Sequence, residues 1–479
     1  MNKNTAKMMF LGAMFALSVT GCSSAGEDTV LDTVSAETAA EQTTISETSS
    51  VRETITFDIP PADEGKPAEM QEKQTADTVA DLETADLFSD RDLRQEADLS
   101  NAKSLTVSDG AALTITEEGV YVLSGTAKDC TVTVNASKED KIQLVLDGVS
   151  ITNSDFPAIY VVSADKVFVT SKGNNMLSVT GTFRADGDTN TDAVIFSKDD
   201  LVLNGTGSLQ ITSASGNGIS SKDDLKVTGG TYTIESAHHA VEANDSIAVC
   251  GGNFNIQADK DGMHCENDNA EGTIYIAGGN FSIQSGSDGI QATTILQIDG
   301  GTFDITSSEG LEATYVKING GTINIAASDD GINASNKCGG AYPVVIEFNG
   351  GDITISMGHG DTDAVDANGS IYVNGGTIDI TAPTSSFDYD LSAEFNGGTI
   401  IINGEQVSEI PQSMMGGGHG GFGGPRGDFP KGDLPRGERG DFPKGDFPKG
   451  DRGDVPQGEP DDAPQGEPGG RRGDRDGAM

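Results

Sequence analysis

The sequence predicts an all-β protein built as a single parallel β-helix, with three short strands in each coil of about 20–25 residues. Three observations predict it. A Gly-Gly pair recurs at 229, 251, 278, 300, 320, 350, 375 and 397, at steps of 20 to 30 residues. Each pair opens a strand in which apolar and polar residues alternate, and no stretch has helical periodicity. The 479 residues include 63 glycines, no tryptophan and only 5% aromatics, poor material for a conventional globular core.

The elements follow in chain order. Lys3 and Lys7 precede an apolar run from Met8 to Val19 that ends in Val19-Thr20-Gly21-Cys22. A charged start, a short apolar stretch and small residues before a cut predict a secretory signal over 1–22. A small residue directly before Cys22 resembles the bacterial lipobox, which implies acylation of Cys22 and a chain exported and lipid-anchored to the outer face of a bacterial membrane; the alternative is an ordinary signal peptide with a chance cysteine. Residues 23–100, rich in Thr, Ser, Glu, Ala and Asp, predict a disordered acidic linker. Residues 101–410 predict the β-helix. Residues 411–479, with Gly-Asp-Phe-Pro-Lys repeated at 440–444 and 445–449, predict a disordered tail; the period of five excludes collagen.

The coil from 300 to 319 shows the anatomy. Phe303/Ile305, Leu311/Ala313 and Val316/Ile318 are expected to point inward, and Asp304, Glu312 and Lys317 outward. Glycine supplies the positive φ at each corner. The residue before Gly-Gly is Asp299, Asn319, Asn349, Asn374 and Asn396 in successive coils, which predicts an amide ladder along the axis.

Against 30 basic residues stand 75 acidic ones, a net charge of -45. Such a polyanion repels nucleic acid, and it meets a membrane only through the anchor at Cys22. Equivalent positions stack at about 4.8 Å, so a recurrent residue type becomes a row. One row reads Asp192, Asn217, His239, Asp261, Asp288, Glu309, Asp330, Asp363. A second reads Ser220, Glu242, His264, Gln291, Glu312, Asn333, Asp366. A third is formed by Asp199, Asp200, Asp223, Asp224, Asn244 and Asp245. Unbridged carboxylates at that spacing repel by roughly 1 kcal/mol per pair in water, and by more near a protein surface. Hard oxygen ligands in such rows suit Ca²⁺. The expected ligands are Glu242, Asp261, Asp288, Glu309, Glu312, Asp330, Asp363 and Asp366, with Asp199, Asp200, Asp223, Asp224 and Asp245 as secondary ones. The competing reading is turn capping by Asx residues and a solvated acidic face. The histidines are too sparse to predict a transition-metal site. Cys130, Cys250, Cys265 and Cys338 leave disulfides open, with Cys265 expected in an inward alanine position.

Catalysis lacks a constellation. Asn190-Thr191-Asp192, Asp199-Asp200 and Gly358-His359-Gly360 are similar to pieces of a polygalacturonase signature. Asp192 and His359 are, however, about seven coils apart, roughly 30 Å, where paired catalytic carboxylates need to lie within ~10 Å.

Gly119-Val-Tyr-Val-Leu-Ser-Gly-Thr126, Leu146-Asp-Gly-Val-Ser-Ile-Thr-Asn153, Ala158-Ile-Tyr-Val and the Asp-Gly-Ile-x-Ala coils resemble a known family. These are the bacterial surface β-helix proteins named carbohydrate-binding domain-containing proteins, non-catalytic and typified by an acidic-sugar binder. The resemblance spans about residues 101–404. It implies a right-handed parallel β-helix, bound Ca²⁺ at the acidic Asp/Glu-Gly-Ile/Leu coils, and binding of plant-wall polysaccharide, polygalacturonate and cellulose among them. Asn217, His239 and the tail depart from its pattern. Two other functions stand beside it: an adhesin or wall-spanning protein whose calcium serves stability alone, and a polysaccharide lyase.

Overall fold

Each Gly-Gly pair sits where the chain turns into a new coil, and its two glycines are needed for different reasons. The second takes a left-handed backbone, with φ of 112° at Gly301, 100° at Gly321 and 90° at Gly351, a region that favours glycine. The first lies against the preceding coil: a Cβ on Gly320 would meet the Asp299 carbonyl oxygen at 2.5 Å. The corner is therefore tight and repeats. A computed structural model describes residues 79–267, 271–360 and 362–412. The expected signal, Cys22, residues 23–78 of the linker and residues 413–479 of the tail lie outside the described residues.

The strands stack into three parallel faces. In one coil the first face is Thr231–Ser236, the second Val241–Ala243 and the third Ser246–Val249. Each pairs in parallel with its counterpart in the next coil: Asn253–Ala258, Met263–Cys265 and Thr273–Ile276. The second face holds twelve strands among the described residues, one per coil. At the far end Thr399–Ile402 pairs antiparallel with Glu405–Val407, which covers an edge that would otherwise template another chain.

Inside, like stacks on like. Phe254, Phe281 and Phe303 lie with ring centroids 4.8 and 4.6 Å apart and planes 4° from parallel. Cys265 pairs in register with Ala243 and Ala292 and is buried, as the sequence predicts. Cys130, Cys250, Cys265 and Cys338 are all free thiols. The amide ladder also forms: Asn319, Asn349, Asn374 and Asn396 each donate Nδ2 to the residue one coil back, at 2.8 to 2.9 Å.

Residues 79–100 differ from the expected linker. They run along the third face, with a short helix at Thr84–Leu87. Leu82 exchanges two backbone hydrogen bonds with the amide of Gln297, at 2.9 and 3.0 Å. Thr84 bonds the Tyr275 hydroxyl at 2.8 Å, Lys226 donates to the Leu87 carbonyl at 2.6 Å, and Thr228 donates to the Asp92 carbonyl at 2.7 Å. Phe88 packs on Ala248 and Tyr275. Outward third-face residues such as Lys317 and Gln297 are consequently buried. Acidic composition hid a segment whose leucines and phenylalanine find an apolar strip once the solenoid exists.

Candidate functional site

The second face and the corner that precedes it carry the acidic rows. At the corner, the motif Asp-Gly-Ile requires glycine because a Cβ on Gly289 would meet the Gly310 carbonyl oxygen and Ile305 Cγ2, both at 2.5 Å. The Gly289 amide donates to the Glu309 carbonyl at 2.8 Å, and the Gly310 amide to Asp330 at 3.0 Å. This pins each acid directly above the next. In the strand itself the register runs Ser220, Glu242, His264, Gln291, Glu312, Asn333, Asp366, as read from sequence, and continues to Asp388.

Three environments divide the rows. The first lies around Glu242, whose Oε2 accepts from Asn217 at 2.7 Å, Ser220 at 2.7 Å and Lys222 at 3.3 Å. Its pKa falls below the ordinary value despite burial, because Lys222 and Ser220 meet its charge. In the second, His239 and His264 stack with centroids 4.1 Å apart. Both aim Nδ1 at Asp261 Oδ2, at 3.1 and 2.6 Å. Against its burial, the two histidines hold Asp261 well below the usual carboxylate range.

The third environment is the acidic stretch. Ligand oxygens of Asp288, Glu309 and Glu312 all lie within 4.8 Å of one another. Burial and the charge of Asp261 push Asp288 far up, and Glu309 and Glu312 add to it. Burial and Glu312 push Glu309 up to about 7. Asp330 rises to about 6 through burial and its acidic neighbours Asp329 and Asp363. Asp366 rises to about 7 through burial and Asp330, Asp363 and Asp388. Lys337 reaches Glu312 at 2.7 Å, and Asn333 donates to Glu309 at 3.0 Å while its own Oδ1 is buried without a partner. Carboxylate oxygens gathered this closely, with Asp288, Glu309, Asp330 and Asp366 raised and an amide oxygen orphaned beside them, are a donor set of the kind that suits Ca²⁺.

Capping accounts for part of the corner row. Asp261 Oδ1 accepts from the Asp288 amide and Asp330 Oδ1 from the Asp363 amide, each at 3.0 Å. One oxygen of each acid thus holds the fold, and the second oxygen of Asp261 is taken by the two histidines. The third row is divided too. Asp199 pairs with Lys138 and Asp200 with Lys166, whereas Asp200, Asp223 and Asp224 bring oxygens within 4.8 Å. Asp245 accepts from Asn267 at 2.8 Å.

Sequence reasoning missed three participants and one contact. Glu266 and Lys337 come from loops that lengthen two coils, where the repeat gives no register. Asp388 follows the inward Phe387 as Asp366 follows Val365, a signal that could have found it. The His239–His264 stack was hidden because the two residues occupy different rows.

By fold and site the protein is a parallel solenoid that displays stacked carboxylates and amides along one axis. The chain belongs to the carbohydrate-binding domain-containing protein family, whose model matches residues 109–364. It is 36% identical over 140 residues to a carbohydrate-binding domain-containing protein of Acetivibrio thermocellus. That match covers 28% of this chain and 49% of the relative, so the chain spans about half the length of the curated relative. A solved structure from C. thermocellum, a gadolinium derivative of a polysaccharide lyase-like protein, is 24% identical; the match covers 62% of this chain and 96% of that one, with a TM-score of 0.29.

Proposed function

We propose that the protein binds acidic polysaccharide through calcium without cleaving it, at the outer surface of a bacterial cell. The family describes carbohydrate binding, and the observation that carries the calcium is the Asp288–Glu309–Glu312 cluster with oxygens inside 4.8 Å. Asp288, Glu309 and Glu312 would hold one ion, and Asp330, Asp363 and Asp366 continue the same rows as further expected ligands. The charge of Glu242 is already answered by Lys222, that of Asp261 by two histidines and that of Glu312 in part by Lys337, so Asp288 and Glu309 are the expected ligands that most need an ion. Calcium would join protein carboxylates to sugar carboxylates that otherwise repel.

The test is retention on a polygalacturonate gel with calcium and then with chelator, together with elemental analysis. Glu309→Gln with Glu312→Gln is expected to lower both calcium content and retention. Retained calcium with full binding would favour acids that merely cap turns. Lost calcium with full binding would make the ion structural, the role it has in an adhesin or wall-spanning protein. An assay for unsaturated or reducing-end products is expected to stay silent; product formation would establish a lyase.

Anchoring belongs to the same proposal. Replacing Cys22 by Ser is expected to release the protein from the membrane fraction. Retention there would contradict acylation at that cysteine.

A further inference from the structure

We infer that His239, Asp261 and His264 form a site for a divalent transition metal of the zinc class, separate from the calcium rows. His239 Nδ1 and His264 Nδ1 approach the same oxygen, Asp261 Oδ2, at 3.1 and 2.6 Å, and the three ligand atoms all lie within 4.8 Å of one another. A tetrahedral zinc with bonds of about 2.0–2.1 Å places its ligand atoms about 3.3 Å apart. The two nitrogen–oxygen distances, 3.1 and 2.6 Å, would open by about 0.2 and 0.7 Å to reach that spacing. Two imidazole nitrogens and one carboxylate select zinc, cobalt or copper over calcium, which takes oxygen.

The surroundings support the triad as a metal-ligating set is ordinarily supported. Asp261 Oδ1 accepts the Asp288 amide at 3.0 Å, which fixes the carboxylate and turns Oδ2 toward the histidines. The far nitrogen of His264, Nε2, lies 3.1 Å from Glu266 Oε2. A carboxylate on the distal N–H sets the tautomer that leaves Nδ1 as a ligand. The His239 amide donates to Asn217 Oδ1 at 3.0 Å and so holds the other histidine at its corner. The Gln291 amide nitrogen donates to His264 Nδ1 at 2.7 Å and lies 3.2 Å from Asp261 Oδ2, while its oxygen accepts from Lys337 at 2.8 Å, so a metal on the triad would displace the Gln291 amide from His264. The competing arrangement places protons, and no metal, between the histidines and Asp261.

The experiment uses the full, tag-free chain, stripped with chelator, dialysed into calcium to fill the carboxylate rows, and titrated with Co²⁺ followed by Zn²⁺. The expected result is one Co²⁺ per chain with a visible d–d band of tetrahedral intensity, displaced by equimolar Zn²⁺. His239→Gln and His264→Gln each abolish the band. Glu266→Gln, at an exposed carboxylate that leaves the core untouched, weakens the site about 10–100-fold. Glu309→Gln with Glu312→Gln and His359→Gln leave it unchanged. Absence of the band from the folded wild-type chain, or a band that survives in folded His264→Gln or His239→Gln, would overturn the site. So would a band insensitive to Glu266→Gln if the histidine variants fail to fold.

Discussion

Asp261 and Asp330 occupy equivalent corners, and each gives one oxygen to the amide of the next coil. Their second oxygens meet opposite surroundings. Histidines lower Asp261, whereas burial and acidic neighbours raise Asp330 to about 6. Glu309 and Asp366 sit higher, at about 7. The sign of the pH dependence follows. Between the ordinary carboxylate range and pH 7 the metal-free folded chain holds protons that the unfolded chain has released, so its stability falls as pH rises through that window. Metal-free protein is expected to melt higher at pH 5 than at pH 7.5, and calcium is expected to restore the loss at pH 7.5 with release of protons. A metal-free melting temperature that rises from pH 5 to 7.5 would refute the raised row.

At the scale of the element, the corner ladder is the most regular stabilising device. Asn349 donates to Asn319 at 2.8 Å and accepts from Asn374 at 2.8 Å. Each coil therefore hands one hydrogen bond to the next, alongside the backbone bonds of the parallel faces. Asn349→Ala removes two of them and leaves Asn374 Nδ2 only the longer bond to Glu347 at 3.4 Å, at a cost of about 1–2 kcal/mol. Urea unfolding is expected to show it as a lower midpoint at unchanged m. An unchanged midpoint would mean that water replaces the ladder without loss. Glycine at the paired positions works through backbone conformation and close approach, so its loss would be felt even where a side chain has room.

At the scale of the whole molecule, residues 79–100 tie several coils together along the third face. Asp81 reaches Lys317, Leu82 holds Gln297, Phe88 covers Ala248 and Tyr275, and Gln95 bonds Thr228 and the Gly205 amide. In a solenoid each coil otherwise touches mainly its neighbours, so openings remain local. Deleting 79–100 is expected to lower hydrogen-exchange protection about tenfold or more in Ser246–Val249, Thr273–Ile276 and Ile295–Ile298, which corresponds to about 1.4 kcal/mol. The second face is expected to change less. Equal protection with and without the strap would reduce it to a passive covering.

The sequence by itself determined the repeat. Gly-Gly spacing, strand alternation and the asparagine before each pair depend on residues close in the chain, and a one-coil repeat converts each of them into a row in space. The carboxylate register from Glu242 to Asp366 followed from the same arithmetic. Only the tertiary structure decided which carboxylates are answered from within. Lys337 and Glu266 stand on loops that break the period, His239 and His264 meet across two rows, and the strap folds onto coils some 110 to 240 residues away. Charge balance depends on distances between such side chains, and a periodic pattern fixes distance only for residues that share its phase.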